Sequence, residues 1–317
     1  MSVLLLIVGF VLVIKGADFL VDGGSSLAKK LHISDLVVGL TVVAFGTSLP
    51  ELSVNITASM NGSSEIAITN ILGSNTANIL LILGISAIVF PLTVTHGTVY
   101  KEIPFSLLAA LVLAVMAGDK IIDGKITSEL SRIDGLILLA FFVIFIYYTA
   151  GIAQDTSTMT EQVNKNIYSL KKSATLITTG LILLVFGGNW IVSGAIDIAH
   201  YFNISESVIG ATIVAVGTSI PELATSVVAA FKKNPEIAVG NVVGSNIFNI
   251  FFILGISSVI KPLPIHSSDI LHFAAVIIAS MFLFIFMFTG KRKIIDRWEG
   301  WLLLSGYVIY IFLILII

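Results

Sequence analysis

Apolar runs long enough to cross a bilayer recur along this chain from one end to the other. About 20 apolar residues span the hydrocarbon core as a helix, and the helix satisfies its own backbone hydrogen bonds there. Only 11% of the 317 residues are charged and the mean hydropathy is +1.04, whereas a soluble domain is about a quarter charged. These features exclude soluble globular, fibrous and disordered proteins and predict an all-α integral membrane protein.

Glycine, proline and charged residues divide the apolar sequence into ten candidate transmembrane helices. We number them spans 1 to 10 and place them at residues 3–26, 34–60, 65–90, 103–118, 133–151, 173–199, 207–231, 236–260, 270–289 and 298–316. Span 1 lacks a basic flank and a small-residue cleavage site, which indicates a retained helix and not a signal peptide.

The distribution of Lys and Arg between the loops predicts the orientation in the membrane. The loops on the N-terminal side carry few basic residues, which are Lys120, Lys125, Arg132 and Lys261. The opposite loops carry most of the rest, so we expect them to be cytoplasmic and both termini to be extracytoplasmic. The absence of a targeting segment favours a prokaryotic plasma (inner) membrane.

The sequence contains an internal repeat and aligns on itself, without a gap, when Gly39 is placed on Gly210. GLTVVAFGTSLPE at residues 39–51 then falls on GATIVAVGTSIPE at residues 210–222, with nine of 13 positions identical. EIAITNILGSNTAN at residues 65–78 falls on EIAVGNVVGSNIFN at residues 236–249. Such agreement between polar positions is not expected from unrelated apolar helices.

Each copy of the repeat holds five spans, so the second copy enters the membrane from the opposite side. The predicted fold is therefore two inverted five-helix repeats, at residues 1–151 and 173–317, joined by a cytoplasmic linker at residues 152–172. Inverted repeats build many secondary transporters, in which the substrate site lies at the midplane between the copies.

Two acidic residues, Glu51 and Glu222, lie in the middle of apolar spans at equivalent positions of the repeat. A charge at the bilayer centre costs roughly 2.5–3.5 kcal/mol even on lenient insertion scales. A divalent cation, several monovalent cations or protons would each relieve this cost. Pro50 and Pro221 precede the two glutamates and remove a backbone donor, so we expect broken helices that expose carbonyl oxygens.

Hydroxyl and amide residues accompany each glutamate. Thr47 and Ser48 lie four and three residues before Glu51. In span 3 and span 8 the sets Asn70, Ser74, Asn78 and Asn241, Ser245, Asn249 each follow at intervals of four residues, on one helix face. They are candidate ligands, although Asn70 and Asn241 could instead only join helices through hydrogen bonds.

The candidate ligands offer oxygen atoms only, which favours calcium, and the same donors can divide into sodium sites. The chain has no cysteine, and its histidines fall near span ends, so the sequence argues against zinc at this set of residues.

The paired motifs GTSLPE with GSNTAN, and GTSIPE with GSNIFN, resemble the alpha-repeats of the sodium/calcium exchanger family, within the wider cation/calcium exchanger superfamily. The resemblance covers essentially the whole chain. It implies four ion sites between helices 2, 3, 7 and 8, and helices 1 and 6 that slide across this core. By position, it implies ligands at Ala44 and Ala215 through their carbonyls and at the side chains of Thr47, Ser48, Glu51, Ser74, Asn78, Thr218, Ser219, Glu222, Ser245 and Asn249.

The resemblance also bears on the coupling ion. The potassium-dependent branch of the superfamily and some archaeal relatives carry Asp at the position of Asn249, so we expect no potassium co-transport. The proton/calcium branch typically has a Gly-Asn-x-x-Glu form of the span 2 motif, whereas this chain has Gly-Thr-Ser-x-Pro-Glu. The long regulatory domain of animal exchangers is absent, because the linker is short.

We therefore predict a secondary antiporter, not an enzyme, that exchanges Na+ for Ca2+ by alternating access. The alternative is an antiporter that couples H+ to Ca2+ or another divalent cation. An intramembrane hydrolase would need a base beside Ser48 or Ser219, and no mid-span His or accompanying Lys is present. A channel is disfavoured by the broken helices of inverted copies. We expect no cofactor and no nucleic-acid partner, a lipid bilayer environment and function as a monomer.

Overall fold

The computed structural model describes residues 2–122, 124, 126–154, 167–202 and 215–316. In these residues, eight helices are long and apolar enough to cross a membrane, and a ninth passage is a helix with a 46° bend. Most of the predicted linker and the predicted beginning of span 7, including Gly210, lie outside the described residues. The described chain is almost entirely helical, as the sequence predicts.

The helix bounds follow the predicted spans. Spans 1 to 5 are Ser2–Leu31, Asp35–Thr47 with Leu49–Asn61, Glu65–Val89, Thr98–Met116 and Arg132–Gln154. Spans 6 to 10 are Leu170–Tyr201, Ala215–Gly217 with Ile220–Phe231, Pro235–Ile260, Asp269–Phe286 and Arg297–Ile316. A short helix, Asp119–Ile122, follows span 4.

Two predicted boundaries need correction. Span 1 continues to Leu31 instead of ending at residue 26, and span 4 begins at Thr98 instead of residue 103. The start of span 4 is charged, which hid it from hydropathy. The structure accommodates Glu102 there because Tyr148 of span 5 donates a hydrogen bond to its buried carboxylate.

Spans 1 and 6 cross as an antiparallel pair at reciprocal glycine contacts. A Cβ atom on Gly16 would lie 2.8 Å from the carbonyl oxygen of Gly180, and one on Gly187 would lie 2.9 Å from that of Gly9. Gly9 and Gly16 are the repeat equivalents of Gly180 and Gly187. The two copies therefore meet around a pseudo-two-fold relation, as inverted repeats require.

Four short strands in the loops between spans also make reciprocal contacts between the two repeats. They are β1 (Leu92–Thr93), β2 (Ser128–Leu130), β3 (Leu263–Ile265) and β4 (Ile294–Ile295). β1 pairs antiparallel with β4, and β2 pairs antiparallel with β3. Each two-stranded sheet thus joins one strand of the first repeat to one strand of the second.

The strand register also corrects the repeat alignment. Leu92 pairs with Ile295, and Leu130 pairs with Leu263. Leu92 and Leu263 keep the sequence spacing of the repeat, whereas their equivalent partners, Leu130 and Ile295, lie closer together in the sequence. The alignment without a gap therefore fails after spans 4 and 9, because the loop joining spans 4 and 5 is longer than the loop joining spans 9 and 10.

The centre of the molecule is formed by spans 3 and 8, which are the most buried of the long spans. Each changes from α-helix to π-helix at the corresponding place, over Asn78–Leu83 and Phe248–Leu254. Single π-turns inside α-helices often mark functional sites, since they rotate the side chains that follow. The buried polar side chains of the two repeats converge on this region.

Candidate ion-binding site

The break of span 2 places Glu51 at the beginning of a helix. Ser48 leaves the helical conformation, with φ −83° and ψ 8°, and the second half-helix begins at Leu49. Pro50 lies in its first turn, where a missing N–H breaks no helical hydrogen bond. The carboxylate of Glu51 therefore lies near the positive end of a helix dipole, deep inside the protein.

Span 7 repeats this arrangement around Glu222. Ser219 has φ −87° and ψ 6°, the half-helix begins at Ile220, and Pro221 lies in its first turn. The side chains of Glu51 and Glu222 are both fully buried and close enough to repel one another. Two inward half-helices, one from each repeat, thus bring two carboxylates to one place.

Hydroxyl groups connect each carboxylate to the opposite repeat. Ser48 of the first repeat donates to Oε1 of Glu222 at 3.0 Å, and Ser219 of the second repeat approaches Oε1 of Glu51 at 3.3 Å. Ser74 of span 3 also lies 3.2 Å from Oε1 of Glu51 and 2.9 Å from the Ser219 hydroxyl. The two halves of the site are therefore joined by direct contacts between repeats.

Several acceptor oxygens in this cluster are buried and have no hydrogen-bond partner within the described part of the chain. They are Oε2 of Glu51, Oε2 of Glu222, Oδ1 of Asn78 and Oδ1 of Asn249. A buried acceptor without a donor costs about 1–3 kcal/mol, and more when it is charged. All four belong to residues that the resemblance identifies as ion ligands, and a bound cation would satisfy them.

Two asparagines that the sequence did not identify hold the amides of the candidate ligands Asn78 and Asn249 in place. Asn249 donates from Nδ2 to Oδ1 of Asn75 at 2.9 Å, and Asn78 donates from Nδ2 to Oδ1 of Asn246 at 2.9 Å. Asn75 also donates to the backbone oxygen of Asn246 at 3.1 Å. These bonds fix the amide nitrogens of Asn78 and Asn249 and leave their oxygens free. The recurrence of Ser-Asn in both copies was the available sequence signal.

Asn70 and Asn241 join neighbouring helices, which is one of the two roles predicted for them. Asn70 donates to Oδ1 of Asn55 at 2.8 Å. Asn241 donates to Ser226 at 2.9 Å and accepts from Thr47 at 3.0 Å. Asn241 thus has both its amide nitrogen and its amide oxygen in bonds between spans, whereas the amide oxygens of Asn78 and Asn249 find no partner in the described part of the chain.

Ala44 and Ser245 meet where span 8 approaches span 2. The hydroxyl of Ser245 lies 3.5 Å from the carbonyl oxygen of Ala44, which also accepts from the hydroxyl of Thr47 at 3.3 Å. A Cβ atom on Gly244 would lie 2.6 Å from the carbonyl oxygen of Leu40, so only glycine permits this approach. The first-repeat candidates Ala44 and Thr47 therefore contact the second repeat.

The remaining candidates are less completely described. Thr218 is part-buried, and its hydroxyl lies near the carboxylate of Glu51. Ala215 begins the short helix Ala215–Gly217, but its side chain lies outside the described residues, and its role as a carbonyl ligand stays a prediction.

The chemistry of this cluster is that of a hard-cation site. Its donors are carboxylate, amide, hydroxyl and backbone oxygens, supplied by spans 2, 3, 7 and 8. Within the described residues, no group of three or more His, Asp or Glu side chains could hold a metal ion. Two carboxylates with neutral oxygens match the ligands that Ca2+ accepts, and they can also be shared among smaller charges such as Na+.

Comparison with known proteins places this geometry in a family. The family model described as sodium/calcium exchanger protein matches residues 1–151 and 172–316. Sodium/calcium exchanger MaX1 of Methanosarcina acetivorans is 33% identical, over 97% of this chain and 97% of its own. Inner membrane protein YrbG of Escherichia coli strain K12 is 36% identical, over 97% of this chain and 94% of its own.

A solved structure gives the same result for the fold. The sodium-calcium exchanger NCX_Mj, soaked with 2.5 mM Na+ and 0.1 mM Ca2+, matches with a TM-score of 0.84 at 36% identity, covering 98% of this chain and 97% of that one. The likeness confirms the predicted fold class of ten helices in two inverted repeats. With a family model that matches both repeats and relatives that match over at least 94% of their own length, this chain belongs to the sodium/calcium exchanger family.

Proposed function

We propose that this chain is a secondary antiporter that exchanges Na+ for Ca2+ across the membrane by alternating access. The observation that carries the proposal is the set of buried acceptor oxygens, on Glu51, Glu222, Asn78 and Asn249, that find no donor among the described residues. They come from both repeats and converge between the half-helices. Membership of the exchanger family and the likeness to NCX_Mj and MaX1 support the choice of ions.

The carboxylates make the exchange obligatory. Ca2+ bound between Glu51 and Glu222 balances their two negative charges in one step. Sodium ions that enter from the other side can balance the same charges and release Ca2+. A site that is empty keeps two buried carboxylates without counter-charge, which is costly in a low-dielectric interior. The protein should therefore occlude and reorient only when loaded, so that transport of one ion requires counter-transport of the other.

The remaining predicted ligands complete the proposed site. They are Ala44, Thr47, Ser48, Ser74, Thr218, Ser219 and Ser245, together with the carbonyl of Ala215. The contacts of Ser48 with Glu222 and of Ser219 with Glu51 support a division of this set into neighbouring ion sites that share the two glutamates. Spans 1 and 6, which pack on one another through glycine, are the proposed moving pair.

The location in the cell belongs to the same proposal. We place the chain in the plasma (inner) membrane, as a monomer, with both termini extracytoplasmic and the linker at 152–172 in the cytoplasm. The Lys and Arg distribution supports the orientation, and the likeness to the inner membrane protein YrbG supports the choice of membrane. Labelling of a single introduced cysteine at Ser2 tests the orientation, since the chain has no other cysteine.

The first experiment is calcium uptake by the purified protein in sodium-loaded vesicles diluted into sodium-free buffer, with proton-loaded vesicles in parallel. We expect uptake driven by the outward sodium gradient and unaffected by a protonophore. Uptake driven only by a proton gradient would move the chain to the proton/calcium class. No uptake under either gradient would overturn antiport of calcium.

A matched pair of variants tests the role of the carboxylates. Glu51→Gln removes one buried charge and should abolish sodium-driven uptake, and Glu222→Gln should do the same. Glu65→Gln makes the same chemical change on an exposed side chain at the start of span 3 and should leave uptake intact. Near-normal exchange by both site variants would refute the central role of the two glutamates.

A further inference from the structure

A long apolar groove lies between spans 9 and 10, away from the ion site. Its volume is about 470 Å³, and it is lined by residues of span 9 from Leu271 to Phe286 and of span 10 from Leu302 to Leu313. Its floor includes Leu80 of span 3, which belongs to the π-helical segment that begins at Asn78. At 1.5 Å per residue, the groove extends for about 22 Å along span 9, which exceeds half of the ~30 Å hydrocarbon core.

The two repeats differ in side-chain size at the place where the groove lies. In the first repeat, Phe141 of span 5 stacks on Phe251 of span 8, with ring centroids 5.3 Å apart. Counted along the chain from the paired strands, the equivalent residues beside the groove are Gly306 for Phe141 and Leu80 for Phe251. Two phenylalanines that fill the space between spans 4 and 5 are thus replaced by a glycine and a leucine.

The equivalence of Phe141 and Gly306 is supported by a second pair of contacts. A Cβ atom on Gly84 would lie 3.1 Å from the carbonyl oxygen of Gly300, and one on Gly255 would lie 3.3 Å from that of Gly135. Gly84 and Gly255 have the same sequence spacing as Leu92 and Leu263, and Gly135 and Gly300 have that of Leu130 and Ile295. Span 5 and span 10 therefore occupy equivalent positions, in the register that the strands give.

The chemistry of the lining excludes water and polar ligands. The polar side chains among the lining residues are Ser305 and Tyr310, and both are already bonded. Ser305 donates to the backbone oxygen of Trp301 at 2.8 Å, and the hydroxyl of Tyr310 lies 2.7 Å from Nδ1 of His272. A buried water needs two to four polar partners, which this groove does not offer. An apolar surface such as a hydrocarbon tail therefore suits this groove.

The groove is continuous with the surface that faces the bilayer. Exposed apolar side chains form its rims, including Ile278 and Phe282 on span 9 and Leu302 and Ile309 on span 10. In a protein that spans the membrane, these side chains contact lipid tails. A tail at this surface can therefore enter the groove from the side, without crossing any polar layer.

We propose that this groove is a binding site for one acyl chain of a bilayer phospholipid. The acyl chain occupies a volume between spans 9 and 10, and phenylalanine rings fill the equivalent volume between spans 4 and 5. It also packs on Leu80, two residues after the ion-site residue Asn78. The lipid thereby supports the π-helical segment of span 3 from the side opposite to the ions.

The test is retention of phospholipid by the full-length protein. The protein is reconstituted in vesicles of palmitoyl-oleoyl phosphatidylethanolamine and phosphatidylglycerol, extracted with detergent and examined by native mass spectrometry. Gly306→Phe restores the ring that the first repeat has, and a Cβ atom there meets Leu80 only at an ordinary 3.6 Å. Gly151→Phe is the matched control, because it adds the same ring on span 5 where nothing lies within 4 Å.

We expect the wild type and Gly151→Phe to retain one phospholipid. In Gly306→Phe the fraction of protein that carries a phospholipid should be at least tenfold lower. Equal retention by all three proteins would overturn the proposal. Release of the wild type as a dimer, with Gly306→Phe as a monomer, would also overturn it, since the groove would then be an interface between copies. If Gly306→Phe fails to fold, Leu80→Phe, which copies Phe251, provides the same test from the floor of the groove.

Discussion

Asn75 is expected to tune calcium affinity although it is not a predicted ligand. Its Oδ1 accepts the amide hydrogen of Asn249 at 2.9 Å, and its Nδ2 donates to the backbone of Asn246 at 3.1 Å. In Asn75→Ala both bonds disappear. Asn249 then keeps only a 3.5 Å contact with Ser74, so its amide can rotate and its predicted ligand oxygen is no longer fixed.

The size of the effect follows from the bonds that are lost. A neutral hydrogen bond contributes about 1 kcal/mol net, so the loss of two corresponds to about 2 kcal/mol. Each 1.4 kcal/mol is tenfold in an equilibrium constant, so we expect calcium to bind about 30-fold more weakly. Asn246→Ala removes one side-chain bond, to Asn78, and leaves the backbone oxygen in place. We expect about a fivefold effect there.

The assay is sodium-driven calcium uptake over a range of calcium concentrations, for the wild type and both variants. The KM for calcium should rise in the order wild type, Asn246→Ala, Asn75→Ala, while the maximal rate per folded protein stays within about threefold, because no carboxylate is lost. Thr69→Ala is the control, since Thr69 bonds only to its own helix at an exposed position. A KM for Asn75→Ala within twofold of the wild type would refute the positioning role.

Two further predictions concern the moving helices and the coupling ion. Gly16→Leu should lower the melting temperature of the detergent-solubilised protein, because its Cβ atom would lie 2.8 Å from the carbonyl oxygen of Gly180 and overpacking costs about 1–3 kcal/mol. Gly151→Leu is the control, since its side chain would enter open space and the variant should melt like the wild type. Equal melting temperatures for the two variants would contradict the close packing of spans 1 and 6. If choline is the cation of the sodium-free uptake medium, its replacement by potassium should not change sodium-driven calcium uptake, because Asn249 lacks a carboxylate. A requirement for potassium would show that an asparagine at this position does not prevent potassium co-transport.

The breaks in spans 2 and 7 could be predicted because their cause is local. Pro50 and Pro221 lack a donor, and the Gly-Thr-Ser segment that lies two to four residues before each proline is small and hydroxylated, so we expect the backbone to open near the two glutamates. The motif recurs at a fixed spacing, which also predicts that both breaks face a common centre. The family resemblance then assigned the ligand set, and the contacts among its described members agree with one connected site.

Asn75 and Asn246 could not be assigned from the sequence for a geometric reason. On a helix, a residue one position after Ser74 points about 100° away from it. The side chain of that residue can contact the candidate ligands only if the neighbouring helix also packs against its side of the helix. Spans 3 and 8 meet on this side through the bonds of Asn75 and Asn246, and how two spans meet depends on packing throughout the protein, not on the motif itself.

The change of repeat spacing after span 4 was hidden for a different reason. Spans 5 and 10 share a short motif, RIDG at residues 132–135 and RWEG at residues 297–300, but the motif is displaced from the spacing that the earlier spans keep, so an alignment without a gap misses it. The strand pairs and the reciprocal contacts of Gly84 and Gly255 fix the equivalence. The groove beside Gly306 depends on that equivalence and on how spans 9 and 10 pack on Leu80, which the sequence does not show.

The two sheets, each of which joins a strand of the first repeat to a strand of the second, have a consequence for biosynthesis. β1 is made early, but its partner β4 lies near the C-terminus, and β2 likewise waits for β3. The first five helices therefore leave the ribosome with an unpaired strand at each edge, and folding completes only when almost the whole polypeptide has been translated. Neither half carries its own partner strand, so an ancestor of one repeat would have needed a second, oppositely inserted copy to close its edges.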